Sequence, residues 1–269
     1  MNKTKPFLKW AGNKYRCIEK ILGSLPPAKR LIEPFTGSGA VFINTDYPCY
    51  LLAEENKDLV MLYQFLQQEG TSFIDYCAQF FSSTNNCEDK YYSFREEFNR
   101  SNDLRYKAAL FLYLNRHGYN GLCRYNNQGI YNVPFGRYVK PYFPRHEMQL
   151  FFQKCNKAKF CIGDFRQTFK QAEAGDLIYC DPPYTPLSSS ANFASYTNKK
   201  FKEEDHIDLA RLAMESAARG ITVIISNHDT EFTRHHYSHS KIISFPVSRF
   251  ISCNPLKRQP AQELVAIFS

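Results

Sequence analysis

The residues with the clearest chemical content are Asp181-Pro182-Pro183-Tyr184, which follow the apolar run at 177–180. Two prolines fix φ and remove two backbone N–H donors, so the segment presents mainly acceptors. The Asp181 carboxylate and a Pro182 carbonyl can hold both hydrogens of an amine and aim its lone pair at an electrophile. Tyr184 offers a face on which a planar group can stack. The motif therefore predicts alkylation of a planar amine, and it leaves adenine, cytosine and amide substrates open; a rigid surface turn is the alternative.

A second candidate site is the turn Phe35-Thr36-Gly37-Ser38-Gly39, which lies between an apolar run and a segment that can open a helix. Glycines let the backbone approach a ligand closely. Glu54 ends the next apolar run, where a carboxylate can accept hydrogen bonds from both hydroxyls of a ribose. The longer phosphate-binding glycine pattern with its lysine does not occur. The pattern favours a phosphate-free nucleoside cofactor over an ordinary strand-to-helix turn.

Both candidate sites must be positioned by the apolar runs that precede them. Four such runs end in small or polar residues and are predicted to be buried strands: 31–32, 50–53, 177–180 and 221–225. Residues 208–219, followed by Gly220, are predicted to form a helix with a glycine cap. The alternation predicts an open, largely parallel α/β sheet that binds ligands beyond the carboxyl ends of its strands.

The middle of the chain has a different character. Residues 56–144 contain mostly helical segments and then a loop rich in Tyr, Asn, Gly, Arg and Pro. We predict that they form an inserted domain, whereas residues 1–55 and 145–269 form the α/β domain. Within the insert, residues 108–114 are predicted to be a buried helix, and residues 115–121 a polar, flexible segment.

Composition limits the class of protein. The 269 residues carry a net charge of +8, which favours a polyanionic partner such as nucleic acid or an acidic membrane surface. Aromatic residues make up 16% of the chain; stacking on bases is one use for them, and core packing accounts for most. Nine cysteines occur without a C-x-x-C pair, and His235, His236 and His239 have no carboxylate or thiol beside them. We therefore expect neither a disulfide framework nor a metal site.

Targeting segments are not expected either. The first residues lack an apolar core, and no run approaches the roughly 18 apolar residues of a membrane span. The prediction is a soluble, cytoplasmic protein.

Taken together, the motifs resemble the Dam family of DNA adenine methyltransferases over nearly the whole chain. The segments that carry the resemblance are Phe7-Leu8-Lys9-Trp10-Ala11-Gly12, Glu33-Pro34-Phe35 with its glycine turn, Phe111-Leu112-Tyr113-Leu114-Asn115-Arg116, Gly118-Tyr119-Asn120-Gly121-Leu122-Cys123-Arg124-Tyr125-Asn126, Asn132-Val133-Pro134-Phe135-Gly136-Arg137-Tyr138, Asp181-Pro182-Pro183-Tyr184 and Ile225-Ser226-Asn227-His228-Asp229. Their order is that of the α-type amino-methyltransferases.

The resemblance implies a Rossmann-like methyltransferase sheet with an inserted, mainly helical DNA-recognition domain. It implies S-adenosylmethionine as the cofactor and methylation of adenine N6 within GATC in double-stranded DNA, after the base is flipped. Catalysis is assigned to Asp181, Pro182, Pro183 and Tyr184. The cofactor-binding residues implied are Trp10, Ala11, Gly12, Lys14, Glu33, Phe35, Gly37, Gly39, Glu54, Asp164, Phe165 and Asp181.

For the DNA, the resemblance implies two groups of residues. Lys9, Tyr119, Leu122, Arg124 and Pro134 read the bases or wedge into the duplex. The supporting contacts to the backbone and neighbouring bases fall to Arg95, Arg116, Asn120, Asn126, Arg137 and Tyr138. These residue types suit the task, because basic side chains pair with guanine O6 and N7 and apolar ones contact the thymine methyl. A bacterial, nucleoid-associated enzyme is implied, either in restriction or in replication, repair and gene control.

The chain departs from the family pattern at a few positions. Asn13 stands where a second glycine is usual, and Glu54 stands where the ribose acid is usually Asp, with Glu55 beside it. The tail at 252–260 also differs. Lys199-Lys200-Phe201-Lys202 trails a Ser188-Ser189-Ser190 loop that could close over substrate, and is either a phosphate contact or a wet surface.

Two other functions fit part of the pattern. Methylation of glutamine side chains in proteins uses a related N-P-P-Y motif, but Asp181 and the basic, aromatic insert favour DNA. A DNA-binding module without catalysis would not need the glycine turn together with Asp181 and Tyr184.

Overall fold

The computed structural model describes residues 3–185, 201–247 and 261–269. The Ser188-Ser189-Ser190 loop, Lys199 and Lys200, and the divergent tail at 252–260 lie outside the described residues. Among the helices described, none is long and apolar enough to cross a membrane.

A seven-stranded sheet forms the centre of the structure, in the order β3-β2-β1-β4-β5-β7-β6. Its strands are β1 (Arg30–Glu33), β2 (Cys49–Glu54), β3 (Ala158–Ile162), β4 (Asp176–Cys180), β5 (Thr222–His228), β6 (Lys241–Val247) and β7 (Ala261–Phe268). The pairs among β1 to β5 are parallel, whereas β7 runs antiparallel to both β5 and β6. The structure thus confirms the predicted Rossmann-like methyltransferase sheet.

Alternate residues of each central strand face two separate cores. In β4, Leu177 and Tyr179 belong to one hydrophobic cluster, and Ile178 and Cys180 to the other. A parallel strand that is apolar on both faces must be covered on both sides, which explains its continuous apolar run. Each buried aliphatic side chain contributes about 1.5–3 kcal/mol of transfer free energy.

Ten helices surround the sheet in the described part of the chain. They are α1 (Ile18–Leu22), α2 (Ala40–Asn44), α3 (Lys57–Glu69), α4 (Thr71–Ala78), α5 (Glu88–Arg100), α6 (Leu104–His117), α7 (Arg145–Cys155), α8 (Phe165–Phe169), α9 (Glu203–Ala217) and α10 (Glu231–His236). Side chains of α2, α3 and α7 pack in the first core, and those of α8 and α9 in the second. The sheet is therefore covered by helices on both faces.

The central helix of the insert is α6, which packs against α3 and α5. Its residues 108–115 are all buried, and this confirms the predicted buried helix. The predicted flexible segment at 115–121 is wrong in its first part, because α6 continues to His117. Asn115 is fixed by tertiary contacts: its Oδ1 accepts from Lys9 N, and its Nδ2 donates to Lys9 O.

Two other predicted elements are longer than their sequence patterns indicated. Strand β5 includes Ser226, Asn227 and His228 because β7 pairs with it as far as Glu263. Helix α9 begins at Glu203, upstream of the predicted start at 208.

Candidate active site

The candidate site lies where the strand order reverses, at the carboxyl ends of β1 and β4. Glu33 is the last residue of β1, Glu54 is the last of β2, and Asp181 follows β4 directly. In open α/β sheets this switch point forms a crevice, because the helices after the two strands lie on opposite faces. The topology thus brings together acids that are far apart in the chain.

Lys14 is the immediate partner of Asp181. Its Nζ donates to Asp181 Oδ1 at 2.7 Å and to Gly12 O at 2.7 Å. The same nitrogen lies 4.3 Å from the centroid of the Tyr184 ring. A short 3-10 helix (Lys14–Arg16) carries Lys14, and Asn13 caps it by accepting from Tyr15 N. The residue that replaces the usual glycine therefore orients Lys14.

Strand β5 supplies a second partner for Asp181. Ser226 Oγ donates to Asp181 Oδ1 at 3.2 Å and also contacts the Tyr179 hydroxyl at 3.0 Å. Burial raises the pKa of Asp181, while Lys14 and the Ser226 hydroxyl act in the opposite direction. The two donors thus favour the ionised carboxylate, which is the form that accepts hydrogen bonds.

The Tyr184 ring is held by residues from β5 and β7. Its edge meets the His228 ring at 4.6 Å between centroids, and its hydroxyl donates to Glu263 Oε2 at 3.2 Å. His228 in turn contacts Thr185 O through Nδ1 at 2.7 Å. Sequence reasoning did not assign Ser226, His228 or Glu263 to the site. The polar end of β5 was a usable indication for the first two, but nothing local marks Glu263.

The glycine turn is fixed by its neighbours. Gly37 N donates to Glu54 Oε2 at 3.0 Å, and the Tyr63 hydroxyl donates to Gly37 O at 2.6 Å. Gly37 and Gly39 have φ of 49° and 69°, a region that residues with a Cβ rarely adopt. Gly39 is also the N-cap of α2. Burial raises the pKa of Glu54, although donors including Asn56 N and Gly37 N counter it.

Several features around this turn suit a nucleoside-bearing cofactor. Glu33 is 2% exposed, and its Oε1 has no hydrogen-bond partner. Burial raises the pKa of Glu33 to about 8, so it can donate a proton or accept one. A Cβ on Gly37 would lie 3.1 Å from the Trp10 ring, so the indole packs directly against this glycine. The turn therefore lies between a buried acceptor, Glu33, and an aromatic ring.

Aromatic rings complete this side of the crevice. The Phe35 and Phe165 rings lie 5.4 Å apart, and Phe201 contacts Phe35 at 5.6 Å. Asp164 caps α8 by accepting from Arg166 N, so its carboxylate is already engaged. Ala11 and Gly12 are exposed on the turn that precedes Lys14. The described residues contain no group of three or more His, Cys, Asp or Glu side chains arranged to hold a metal.

The residues assigned to base reading lie in one surface cluster. A Cβ on Gly121 would lie 2.2 Å from Lys9 Cβ, so Lys9 packs directly against this turn. Lys9 Nζ lies 3.8 Å from the centroid of the Tyr138 ring, and the Tyr138 hydroxyl accepts from Asn120 N. Burial, and then Arg116, lower the pKa of Lys9 to about 8.

Tyr119 and Pro134 lie beside this cluster. Tyr119 N donates to Pro134 O at 2.9 Å, and the Tyr119 side chain is 51% exposed. Leu122 is partly buried, whereas Arg124 is exposed and donates to Asn132 Oδ1. Tyr119, Leu122, Arg124 and Pro134 thus belong to two hydrogen-bonded segments of the insert, and Lys9 packs against the first of them at Gly121.

The supporting residues bond to the protein itself in this structure. Arg116 donates to Tyr142 O, Arg95 donates to Val133 O, and Arg137 pairs with Glu88. Asn126 Oδ1 accepts from two backbone N–H groups of its own turn. Arg137 keeps 74% of its side chain exposed, so a ligand can still reach it.

The chain is similar to known proteins over its whole length. The sequence profile of the D12 class of N6 adenine-specific DNA methyltransferases matches residues 10–249. A DNA adenine methylase of Serratia marcescens is 47% identical over 269 residues, with 100% of both chains covered. Another, from Vibrio cholerae, is 45% identical over 270 residues, covering 100% of this chain and 98% of its own. The DNA adenine methylase of Escherichia coli K12 is 45% identical over 268 residues, with 100% and 96% covered.

Proposed function

Since the chain belongs to the D12 class of N6 adenine-specific DNA methyltransferases, and is therefore an enzyme that methylates adenine in DNA, we propose that it uses S-adenosylmethionine to methylate adenine N6 in double-stranded GATC sites. The target base leaves the stack before reaction, because the duplex otherwise hides its amine. The reaction forms a bond from N6 to the methyl carbon and breaks the bond between that carbon and the cofactor sulfur, so that S-adenosylhomocysteine leaves and one N6 proton is released.

The observation that carries this proposal is the position of the Lys14 nitrogen. It lies at hydrogen-bond distance from Asp181 Oδ1 and over the Tyr184 ring, the two groups that a flipped adenine needs. The site therefore already holds an N–H donor against a carboxylate and an aromatic face. An entering adenine amine would replace Lys14 at Asp181, while Gly12 O remains as an acceptor for Lys14.

In the proposed mechanism Tyr184 and Asp181 divide the work. Tyr184 stacks on the base, and the hydroxyl bond to Glu263 and the edge contact with His228 fix its ring. Asp181 and the Pro182 carbonyl accept from N6 and stabilise the positive charge that develops on nitrogen. Asp181 need not be a strong base, because the methylated amine loses its proton readily.

The cofactor supplies the electrophile, a methyl group that is bonded to a positively charged sulfur. Glu54 would bind its ribose, and Asp164 and Phe165 would lie beside its adenine ring, with Phe35 packed against Phe165. Residues Trp10 to Gly12, Glu33, Gly37 and Gly39 would surround the remainder. Support for this assignment comes from the unpartnered Glu33 oxygen and from the positive φ of both glycines.

We assign DNA recognition to residues 56–144 together with Lys9. Lys9 packs against one of the two segments that hold Tyr119, Leu122, Arg124 and Pro134, and this supports the role, since bases are read by side chains that enter the grooves. Tyr119 is the exposed aromatic in this group and fits the gap that a flipped base leaves.

The catalytic assignment is tested with Asp181→Ala. Turnover should fall by at least about 10²–10³-fold, because a preorganised electrostatic group is lost. Binding of GATC duplex should stay unchanged. Glu215→Ala removes an exposed carboxylate on α9 and serves as the control, with turnover like that of the unaltered enzyme. An active Asp181→Ala variant would show that another residue orients the amine.

Specificity is tested on the product. Unmethylated DNA is incubated with enzyme and S-adenosylmethionine that carries a labelled methyl group, and the modified bases are mapped. Label on adenine within GATC is expected. Label on adenine elsewhere would overturn the GATC assignment, and label on cytosine the chemistry.

A further inference from the structure

A buried turn connects the proposed ribose acid to the helices of the insert. Asn56 N donates to Glu54 Oε1 at 3.1 Å, and Asn56 Oδ1 caps α3 by accepting from Asp58 N and Leu59 N. Asn56 and Asp58 are each 5% exposed. The acid and the first turn of α3 thus form one hydrogen-bonded unit, defined here as the 54–58 unit.

This unit is bonded in turn to the segment that carries two proposed base readers. Asn56 Nδ2 donates to Cys123 Sγ at 3.3 Å, and the Tyr125 hydroxyl donates to Asp58 Oδ2 at 2.6 Å. Cys123 lies between Leu122 and Arg124, and its side chain is 2% exposed. Because side chains alternate along an extended segment, fixing residues 123 and 125 also fixes the backbone that presents 122 and 124.

The segment also has contacts with its neighbours in the loop, including the bond from Asn132 N to Arg124 O at 3.1 Å and those from the Arg124 side chain to Asn132. The Tyr131 hydroxyl donates to Leu122 O, and the Tyr125 ring meets the Tyr131 ring at 5.5 Å. Both contacts come from the same loop region of the insert, whereas the bonds to Asn56 and Asp58 come from the turn that joins β2 to α3 and from the first turn of that helix. Burial keeps the pKa of Tyr125 well above its ordinary value, so its hydroxyl remains a donor.

We infer that Asn56 and Asp58 are positioning residues that couple cofactor binding to base reading. The inference rests on the proposed function, from which it takes the cofactor and DNA sites. Ribose binding at Glu54 orders the 54–58 unit, and the bonds of that unit order residues 122–125. Conformational freedom already lost in this way need not be lost again when DNA binds, so each ligand raises the affinity for the other.

The experiment measures this coupling with Tyr125→Phe, which deletes one hydroxyl and keeps the ring. Calorimetry gives the affinity for S-adenosylhomocysteine with and without a GATC duplex. In the unaltered protein the duplex should raise this affinity by a factor within the usual range of about 5–150. In Tyr125→Phe the factor should fall toward one, while the affinity measured without DNA stays the same.

Tyr113→Phe is the matched control, because it deletes a buried hydroxyl of the same layer that donates to Asn85 O. Its coupling factor should equal that of the unaltered protein. Asn56→Ser keeps a capping oxygen but removes the amide donor to Cys123, and it carries the test if Tyr125→Phe does not fold. Equal factors in the test and control variants, or a factor of one in the unaltered protein, would overturn the inference. Failure to bind S-adenosylhomocysteine at all would overturn the proposed function instead.

Discussion

Lys14 and Asp181 form an ion pair with side-chain exposures of only 6% and 20%. Removing one partner of a buried pair leaves a charge without compensation, which costs about 3–5 kcal/mol. Substrate entry reduces this cost if Lys14 keeps its bond to Gly12 O while adenine takes its place at Asp181, because each charged group then keeps a hydrogen-bond partner. The same lysine can therefore stabilise the free enzyme and yield to the base.

Glu33 leads to a prediction about pH and stability. Burial holds its pKa at about 8 in the folded protein, against the ordinary value of 4.5. At a pH between these two values, Glu33 keeps its proton in the folded state and has released it in the unfolded chain. The free energy of unfolding therefore falls as pH rises through this range. The loss reaches at most about 5 kcal/mol once the pH exceeds both values.

Glu33→Gln removes the titrating group, so the free energy of unfolding should depend less on pH in this variant. Urea denaturation without ligand at about pH 5 and about pH 8 measures the free energy of unfolding of both proteins. The variant should gain stability relative to the unaltered protein as pH rises. A difference between the two proteins that does not change with pH would contradict the buried, protonated state of Glu33.

Four of the seven strands and the buried helix of the insert were predicted from local patterns, whereas β3, β6, β7 and several contacts between elements were not. Strand β4 is apolar on both faces, and the run from Ala108 to Leu114 is buried all round, so each was visible in the sequence. The end of α6 was missed because Asn115 is polar and its partner, Lys9, is 106 residues away. Glu263 was missed for the same reason, since only the pairing of β7 with β5 brings it to Tyr184.

Gly39, the N-cap of α2, leads to a prediction about the stability of the glycine turn and this helix. Gly39→Ala meets two penalties: a φ of 69° and a Cβ that would lie 2.9 Å from the Phe151 ring. Gly12→Ala has a φ of 74° but no atom within 4 Å of its Cβ, so only the backbone penalty applies. That penalty is about 1–2 kcal/mol, and overpacking adds about 1–3 kcal/mol. Thermal unfolding of both variants should therefore show the larger loss for Gly39→Ala, and equal losses would mean that Phe151 moves aside freely.

The net charge of +8 is a property of the whole molecule, and its effect on DNA affinity depends on where cations are free to meet phosphate. Arg137, proposed as a backbone contact, is 74% exposed. Each phosphate that is neutralised adds about 0.9 to the slope of log affinity against log salt. Arg137→Ala should reduce the slope for duplex DNA by about this amount.

Arg211→Ala is the control for this measurement. Arg211 is 51% exposed and, like Arg137, is ion-paired, in its case to Asp208 and Glu215 on α9, which lies outside the insert. The salt slope of this variant should match that of the unaltered protein. If both arginines change the slope equally, the contribution comes from overall charge and not from a contact at Arg137.

Strand β7 follows β6 in the chain and yet lies between β5 and β6 in the sheet. During synthesis the outer edge of β5 therefore stays unpaired until residues 261–268 have been made. By then the ribosome has already synthesised all of the parallel strands, β1 to β5. Glu263 belongs to β7, so its hydrogen bond with the Tyr184 hydroxyl forms only when β7 pairs with β5. A ribosome-bound chain that has completed the parallel strands would still lack part of the active site, so activity would appear only after the late strand has inserted.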